Sequence, residues 1–328
     1  MLNNKTTDIS RVLESYGDEL RLVEKSLEEM FTHENFLVQS IGRHLVKGGG
    51  KRLRPLFLIL SSRISGYQGR SNIPLAAIIE VIHTASLLHD DVVDEAELRR
   101  GNPTANSIWG NAVVVLAGDF HYSNALKYAV TFGSLRIIES LSSAITSMTD
   151  GELIQLHRLG DTSITEGEYI RIISGKTGAL FSEACRIGAI LGEAPPEKEE
   201  AIAAYGMNVG IAFQMMDDIL DYSADEGELG KKLGKDLEEG KITLPLIFLL
   251  ASADAAEKKE IEGIVNSLSA EGLGRILELI VKYDSIGKSL EKALAVVEEA
   301  KGRLEAFPES NERGMLMDIA DYALYRDK

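Results

Sequence analysis

From Ile9 to Tyr325 apolar residues recur three or four positions apart, and the strict alternation of a half-buried strand is hard to find. Side chains at that spacing share one face of an α-helix. Over residues 10–31 the stripe runs Val12, Leu13, Tyr16, Leu20, Val23, Leu27, Met30 and Phe31, with charged residues between. The same pattern covers 35–47, 53–67, 73–90, 104–130, 133–157, 166–192, 197–223, 242–252, 255–267, 270–282, 285–304 and 311–325. Turn-forming runs separate these stretches: GGGK at 48–51, GYQGRSN at 66–72, GNP at 101–103, GEAPP at 192–196 and GELGKKLGKDLEEGK at 227–241. With seven prolines in 328 residues and no low-complexity linker, the chain is expected to form one all-α domain over residues 1–328, a large helical bundle.

A formal charge of −16 argues against a nucleic-acid partner, because a binder of the phosphate backbone needs a basic face. An acidic chain that handles an anion must concentrate Lys and Arg locally or recruit metal ions. The single cysteine, Cys185, excludes an intrachain disulfide framework and fits a reducing cytoplasm. It lies in an Ala/Ile/Gly-rich stretch and is expected to be a small core residue. The N-terminus lacks the basic-then-apolar pattern of a signal peptide, and no run reaches eighteen uninterrupted apolar residues. A cytoplasmic protein with no integral membrane segment is the expectation.

Two Asp-Asp-x-x-Asp runs stand out, at 90–94 and 217–221. On a helix, Asp90 and Asp94 share a face, as do Asp217 and Asp221, with Asp91 and Asp218 beside them. Like charges so placed are unfavourable unless a cation sits between them. Mg²⁺ suits the position, since it bridges one or two carboxylates to substrate phosphates and keeps several waters. A lone acidic run is more often a solvated face. Here each run follows apolar sequence (ASLLH and IAFQMM), which favours a cavity over bulk water. An EF-hand is excluded, since its alternating oxygen ligands and central glycine are missing.

Cations accompany both runs. Arg99 and Arg100 follow Asp94 by five and six residues and can grip phosphate with bidentate forks. GGGKRLRP supplies Lys51, Arg52 and Arg54 just before a helical stretch, where an anion is also favoured. SGKTG adds Lys176 and Thr177, and the loop behind the second acidic run adds Lys231, Lys232, Lys235 and Lys241. This complement suits two diphosphates better than one.

GGGKRLRP, HDDVVDEAELRRG, GKTG, FQMMDDILD and GKKLGKDLEEGKITLP together resemble the trans-isoprenyl diphosphate synthases, in that family's order and separations, from about residue 42 onward. The resemblance implies an isoprenoid-synthase fold, an α-helical bundle around a deep central cavity, and a homodimer. It implies that Asp90, Asp94 and Asp217 ligate Mg²⁺ on an allylic diphosphate, about three ions per site with Mn²⁺ able to substitute, and that Asp91, Asp218 and Asp221 support them. It places Arg99, Lys176, Thr177, Gln214, Lys232 and Lys241 on the allylic diphosphate, and Lys51, Arg54, His83 and Arg100 on isopentenyl diphosphate. Asp90, Asp94, Asp217, Lys176 and Arg99 then carry the ionisation of the allylic C–O bond. The double bond of isopentenyl diphosphate attacks the cation and a proton is lost. By the same analogy the departing diphosphate is the proton acceptor.

Ala85 and Ser86, one helical turn before Asp90, are small where short-chain members of that family place a bulky aromatic floor. An open floor implies a long all-trans product, roughly C30 to C50, in a tunnel that excludes water; it is a quinone side-chain precursor by resemblance to long-chain octaprenyl and heptaprenyl synthases. The alternatives are a farnesyl or geranylgeranyl synthase, with Val81, Ile82, Phe120 or Tyr122 capping a shorter tunnel, and a non-catalytic subunit of a heteromeric synthase. A terpene cyclase would not need GGGKRLRP. The basic C-terminal residues Arg326 and Lys328 match the short-chain pattern only in part and are left outside the site.

Overall fold

A computed structural model of the chain describes residues 9–47, 50–99, 101–223, 233–267 and 272–325. Helices dominate it, as the periodicity requires. The first group comprises α1 (Ser10–Ser15), α2 (Gly17–Met30), α3 (Phe36–Lys47), α4 (Leu53–Ile64) and α5 (Asn72–Val93). A two-residue ribbon, β1 (Leu98–Arg99) with β2 (Asn102–Pro103), and the short α6 (Ala105–Trp109) lead into α7 (Asn111–Val130) and α8 (Leu135–His157). Then come α9 (Glu166–Ile173), a π-helical turn (Ser174–Gly178), α10 (Ala179–Leu191) and α11 (Pro196–Ser223). The chain ends with α12 (Lys235–Glu238), α13 (Leu244–Ser252), α14 (Ala255–Ser267), α15 (Leu273–Lys282), α16 (Ser285–Arg303) and α17 (Asn311–Tyr325).

Three continuous stretches of the pattern depart from a single regular helix. Residues 10–31 break at Tyr16, and 104–130 break at Gly110, whose φ of +81° no helix accommodates. Residues 166–192 stay helical throughout but widen to π geometry over SGKTG.

The inner layer is α4, α5, α10 and α11. Helix α10 packs against α4, α8 and α11; α5 lies between α2, α4 and α7; α16 covers the far side of α11. An apolar-all-round α5 follows from this place, since it is covered on several sides. Among the described helices α5 alone has the length and apolarity to cross a membrane, yet 72% of its apolar window is buried, as in a core helix. Cys185 is fully buried in α10, as expected, and burial pushes its thiol up to about 12, so it is held as an inert thiol.

One core feature reaches the site. Phe57 of α4 packs edge-on to Phe181 of α10, Phe181 stacks parallel on Phe213 of α11, and Phe213 meets Tyr322 of α17. Each such pair contributes about 0.5–1.5 kcal/mol beyond its buried area, so four helices are fixed around one aromatic file. The file also carries cations: the Arg54 guanidinium lies 4.5 Å over the Phe181 ring and the Lys51 ammonium 4.8 Å over Tyr322.

Candidate active site

The first acidic run closes the C-terminal end of α5. Asp94 is the last-turn cap, Asp90 lies one turn back and partly buried, and Asp91 is turned into the protein. Arg99 Nε donates to Asp91 Oδ1 at 2.8 Å. The ribbon bearing Arg99 turns at Gly101, with φ of +77°, and Asn106 Nδ2 ties it down on the carbonyls of Asp91 and Ala96. Asp91 therefore orients Arg99, while Asp90 and Asp94 keep the shared face that their spacing predicts. Arg100 lies outside the described residues.

Across the site, α11 delivers the second run. Asp217 is exposed on α11. Asp218 points inward, where Tyr169 Oη donates to one carboxylate oxygen at 2.7 Å and Gln214 Nε2 to the other at 2.9 Å. Gln214 in turn accepts the Thr177 hydroxyl at 2.7 Å, so α9, the π turn and α11 share one hydrogen-bonded chain. Asp221 accepts the backbone N–H groups of Lys235 and Asp236 at 3.2 and 3.0 Å, which makes it the N-terminal cap of α12.

That cap has a consequence for the opposite wall. Helix α12 leads to Lys241, whose ammonium lies 3.3 Å from Asp94 Oδ1 and 2.6 Å from Glu239. Lys241 thus bridges the segment behind the second run to the first run, 147 positions earlier. A backbone bond from Gly160 N–H to Gly240 C=O, 2.8 Å, holds the same segment to the end of α8. Lys232 and Lys231 lie outside the described residues.

Lys176 occupies the middle. The π turn that carries it crosses α8 at two glycines in near backbone contact. A Cβ on Gly151 would come within 2.7 Å of the Lys176 amide nitrogen, and one on Gly175 within 2.7 Å of the Ser147 carbonyl. Only glycine allows that approach. Lys176 Nζ donates to Gln155 Oε1 at 2.7 Å and pairs with Glu152 Oε2 at 2.6 Å. A cavity of about 70 Å³ opens beside it, lined among others by Arg158, Tyr169, Asp218, Asp236 and Lys241.

The remaining expected residues fall in place unevenly. Arg54 is half-buried, its Nε is enclosed with no hydrogen-bond partner among the described residues, and desolvation, opposed by Glu80 and Asp217, lowers its pKa to about 10. Lys51 donates to the Tyr322 hydroxyl. Arg52, grouped by sequence with these cations, is instead committed to Glu24 and Glu80 at 2.5 and 2.8 Å. His83 lies two turns before Asp90 on α5, as predicted, and is half-buried. Ala85 is fully buried; Ser86 Oγ donates back to the His83 carbonyl at 2.8 Å, so its hydroxyl is already satisfied. Of the two candidate caps on α7, Tyr122 packs on His89, whereas Phe120 packs on His33 and His121 away from α5.

Electrostatics describe a site with excess buried negative charge. Burial raises Asp90 to about 6, with Lys176 opposing, and raises Asp218 to about 7 despite its two hydrogen bonds. Asp236, buried beside Asp218 and Asp221, is pushed up too. Burial works against the charge on Lys241, but its bond to Glu239 and the field of Asp94 hold its pKa above the ordinary lysine range. Among the described residues no three His, Cys, Asp or Glu converge into a closed metal cage. Carboxylate pairs that leave most of a coordination sphere open fit Mg²⁺, which fills the rest with water and substrate phosphate oxygens.

Several contributors carry no motif. Glu152, Gln155, Tyr169 and Tyr322 reach the site only through tertiary packing, and Asp236, inside GKKLGKDLEEGKITLP, is not among the residues expected there. The one sequence signal was the Glu152/Gln155 pair at i, i+3 on α8, a spacing shared by many surface helices.

Comparison with known proteins agrees with this architecture. The polyprenyl synthetase family pattern matches residues 35–280. Octaprenyl diphosphate synthase of Escherichia coli is 37% identical over 98% of this chain and 100% of its own. A short-chain isoprenyl diphosphate synthase of Methanothermobacter thermautotrophicus is 35% identical over 98% of each chain. The crystal structure of a Caulobacter crescentus polyprenyl synthase complexed with calcium and isoprenyl diphosphate superimposes with a TM-score of 0.93 at 35% identity, covering 98% of this chain and 99% of that one. The chain belongs to the polyprenyl synthetase family, with the all-α isoprenyl synthase fold. It is a trans-prenyl diphosphate synthase, a prenyltransferase, as the ordered motifs implied.

Proposed function

We propose that the chain condenses isopentenyl diphosphate head-to-tail with an allylic diphosphate, with Mg²⁺, to make a long all-trans polyprenyl diphosphate. The observation that carries this is Lys241 on Asp94. One cation ties the segment behind the second acidic run to the first run, so the two carboxylate groups face a common space. Asp90, Asp94 and Asp217 are the residues to hold the divalent ions. Bound there, the ions neutralise a departing diphosphate. Lys176, Arg99 and Lys241 orient that diphosphate, with Lys232 expected to join them. Thr177 and Gln214 fix the geometry behind it, and Asp91, Asp218 and Asp221 support the site by holding Arg99, Gln214 and α12. Arg54 and Lys51, mounted on the aromatic file, are the residues to receive the second diphosphate, with His83 and Arg100 expected to join them. A buried Nε–H left without an acceptor is costly, and a ligand anion at Arg54 would satisfy it.

Chain length rests on α5. Relatives of nearly equal identity carry octaprenyl and short-chain names, so overall similarity does not choose. Ala85 and Ser86 put only small side chains one turn before Asp90, the Ser86 hydroxyl being bonded back to its own helix, and this small size is the ground for proposing a product longer than C20. Tyr122 beside His89 is the residue that favours the shorter alternative. A homodimer completes the proposal, with each chain acting as one domain. Val115, Leu116 and Val130 of α7 and Leu135 at the start of α8 are exposed apolar residues that a second copy would cover. The test is incubation with Mg²⁺, radiolabelled isopentenyl diphosphate and farnesyl diphosphate, with products sized by chromatography. Long labelled prenyl diphosphates are expected; no incorporation by the pure protein overturns the assignment.

A further inference from the structure

Glu152 has no counterpart in the motifs, yet it pairs with Lys176, one of the cations of the site. Its side chain is largely buried and its Oε2 is 2.6 Å from Lys176 Nζ. That oxygen has no aligned hydrogen bond from any described residue, so the contact is ionic and not locked by direction. Gln155, one turn along α8, holds the same ammonium by a properly directed bond of 2.7 Å. Lys176 and Glu152 act on the Asp90 carboxyl with opposite sign, the ammonium lowering its pKa and the carboxylate raising it. The backbone cannot drift to relax this, because Gly151 and Gly175 hold α8 and the π turn in contact.

A synthase that repeats its cycle has a specific difficulty. Each round leaves pyrophosphate among the cations that drew the substrate in, and it must leave before the elongated chain can take its place. A carboxylate that rebinds the lysine lowers the affinity of the site for that anion without removing the charge needed during ionisation. We propose that Glu152 is a positioning residue that competes with diphosphate for the Lys176 ammonium, drawing it back as pyrophosphate departs. This rests on the prenyl diphosphate synthase assignment above.

The competition has a thermodynamic signature. Mg²⁺–pyrophosphate is titrated calorimetrically into the whole protein as wild type, Glu152→Gln, Lys176→Met and the double variant. Glu152→Gln should bind pyrophosphate at least about tenfold tighter, which is about 1.4 kcal/mol. In the Lys176→Met background the same substitution should change nothing, since a competitor with no lysine to compete for is silent. Kinetically, Glu152→Gln should lower both KM for the allylic diphosphate and kcat, as release becomes limiting. Unchanged or weaker pyrophosphate binding in Glu152→Gln overturns the proposal; weaker binding would make Glu152 a metal ligand or a structural residue. Tightening that survives in Lys176→Met overturns it as well, because it would be a general charge effect. Product analysis on the wild type is read separately. Tighter pyrophosphate binding with no prenyl product upholds the competition and sinks the synthase assignment. Failure of the wild type to bind pyrophosphate removes both.

Discussion

Replacing His121 with leucine tests how α7 packs against the end of α2. His121 is fully buried on α7, edge-on to Phe31 at 4.8 Å and to Phe120 at 5.7 Å, and neither ring nitrogen has a hydrogen-bond partner among the described residues. Burial, with His33 adding repulsion, lowers its pKa to about 4. In the unfolded chain the imidazole titrates near 6.5, so between roughly pH 6.5 and 4 the unfolded state binds the extra proton and stability falls with falling pH. Across the whole window the loss is about 3 kcal/mol, and about 2 kcal/mol of it appears between about pH 7 and about pH 5. Leucine is similar in volume and titrates nowhere. Urea denaturation of both proteins at those two values isolates the histidine, because every other titrating group is common to the pair. The leucine variant should match or exceed wild type near neutrality and gain a further advantage of about 2 kcal/mol at the lower pH. A gap that stays constant with pH would refute the reasoning, since it would mean the imidazole is solvated or paired in the folded protein.

Other outcomes follow from the site. Gly151→Ala places a methyl group within 2.7 Å of the Lys176 backbone nitrogen; the overpacking should cost about 1–3 kcal/mol in a denaturant titration, with a larger proportional loss in kcat than in stability. Ala85→Phe should shorten the products seen by chromatography while the first condensation continues, and unchanged length would remove the tunnel from this face of α5. Lys241→Ala breaks the bridge to Asp94 and should weaken binding of the allylic diphosphate by about tenfold or more, given about 1.5–3 kcal/mol for a charged hydrogen bond. Chelation with EDTA should abolish incorporation, and added Mg²⁺ should restore it; activity that persists without divalent ions would contradict the role given to Asp90 and Asp94.

How far the sequence reached depends on what kind of information each feature needs. Helix existence was legible because 3.6-residue periodicity is local, and α3, α14 and α17 follow the expected spans closely. The breaks at Tyr16 and Gly110 and the 98–103 ribbon were not legible, since each depends on one residue's backbone angle or on a pairing across a turn. The i, i+4 rule correctly put Asp90 and Asp94 on one face. It could not say where the middle aspartates would point. Asp91 and Asp218 are rotated about 100° from their neighbours, and so meet Arg99 on one side and Tyr169 with Gln214 on the other. Arg52 illustrates the opposite failure. In sequence it is one more cation in GGGKRLRP, but its left-handed backbone, φ of +49°, aims it at Glu24 and Glu80. Glu152 offered only the unspecific i, i+3 spacing with Gln155, because its significance is a distance to a lysine 24 positions away in sequence.

The π turn at 174–178 amounts to one surplus residue inside an otherwise continuous helix from α9 to α10. Deleting a single residue there would restore regular α geometry and turn everything on its N-terminal side by about 100°. Tyr169 would swing away from Asp218, and the glycine contact with α8 would lose its register. Insertions and deletions in this protein should therefore be tolerated in the surface loops but not in these five residues, where gaining or losing one unit of length is a change of phase rather than of size.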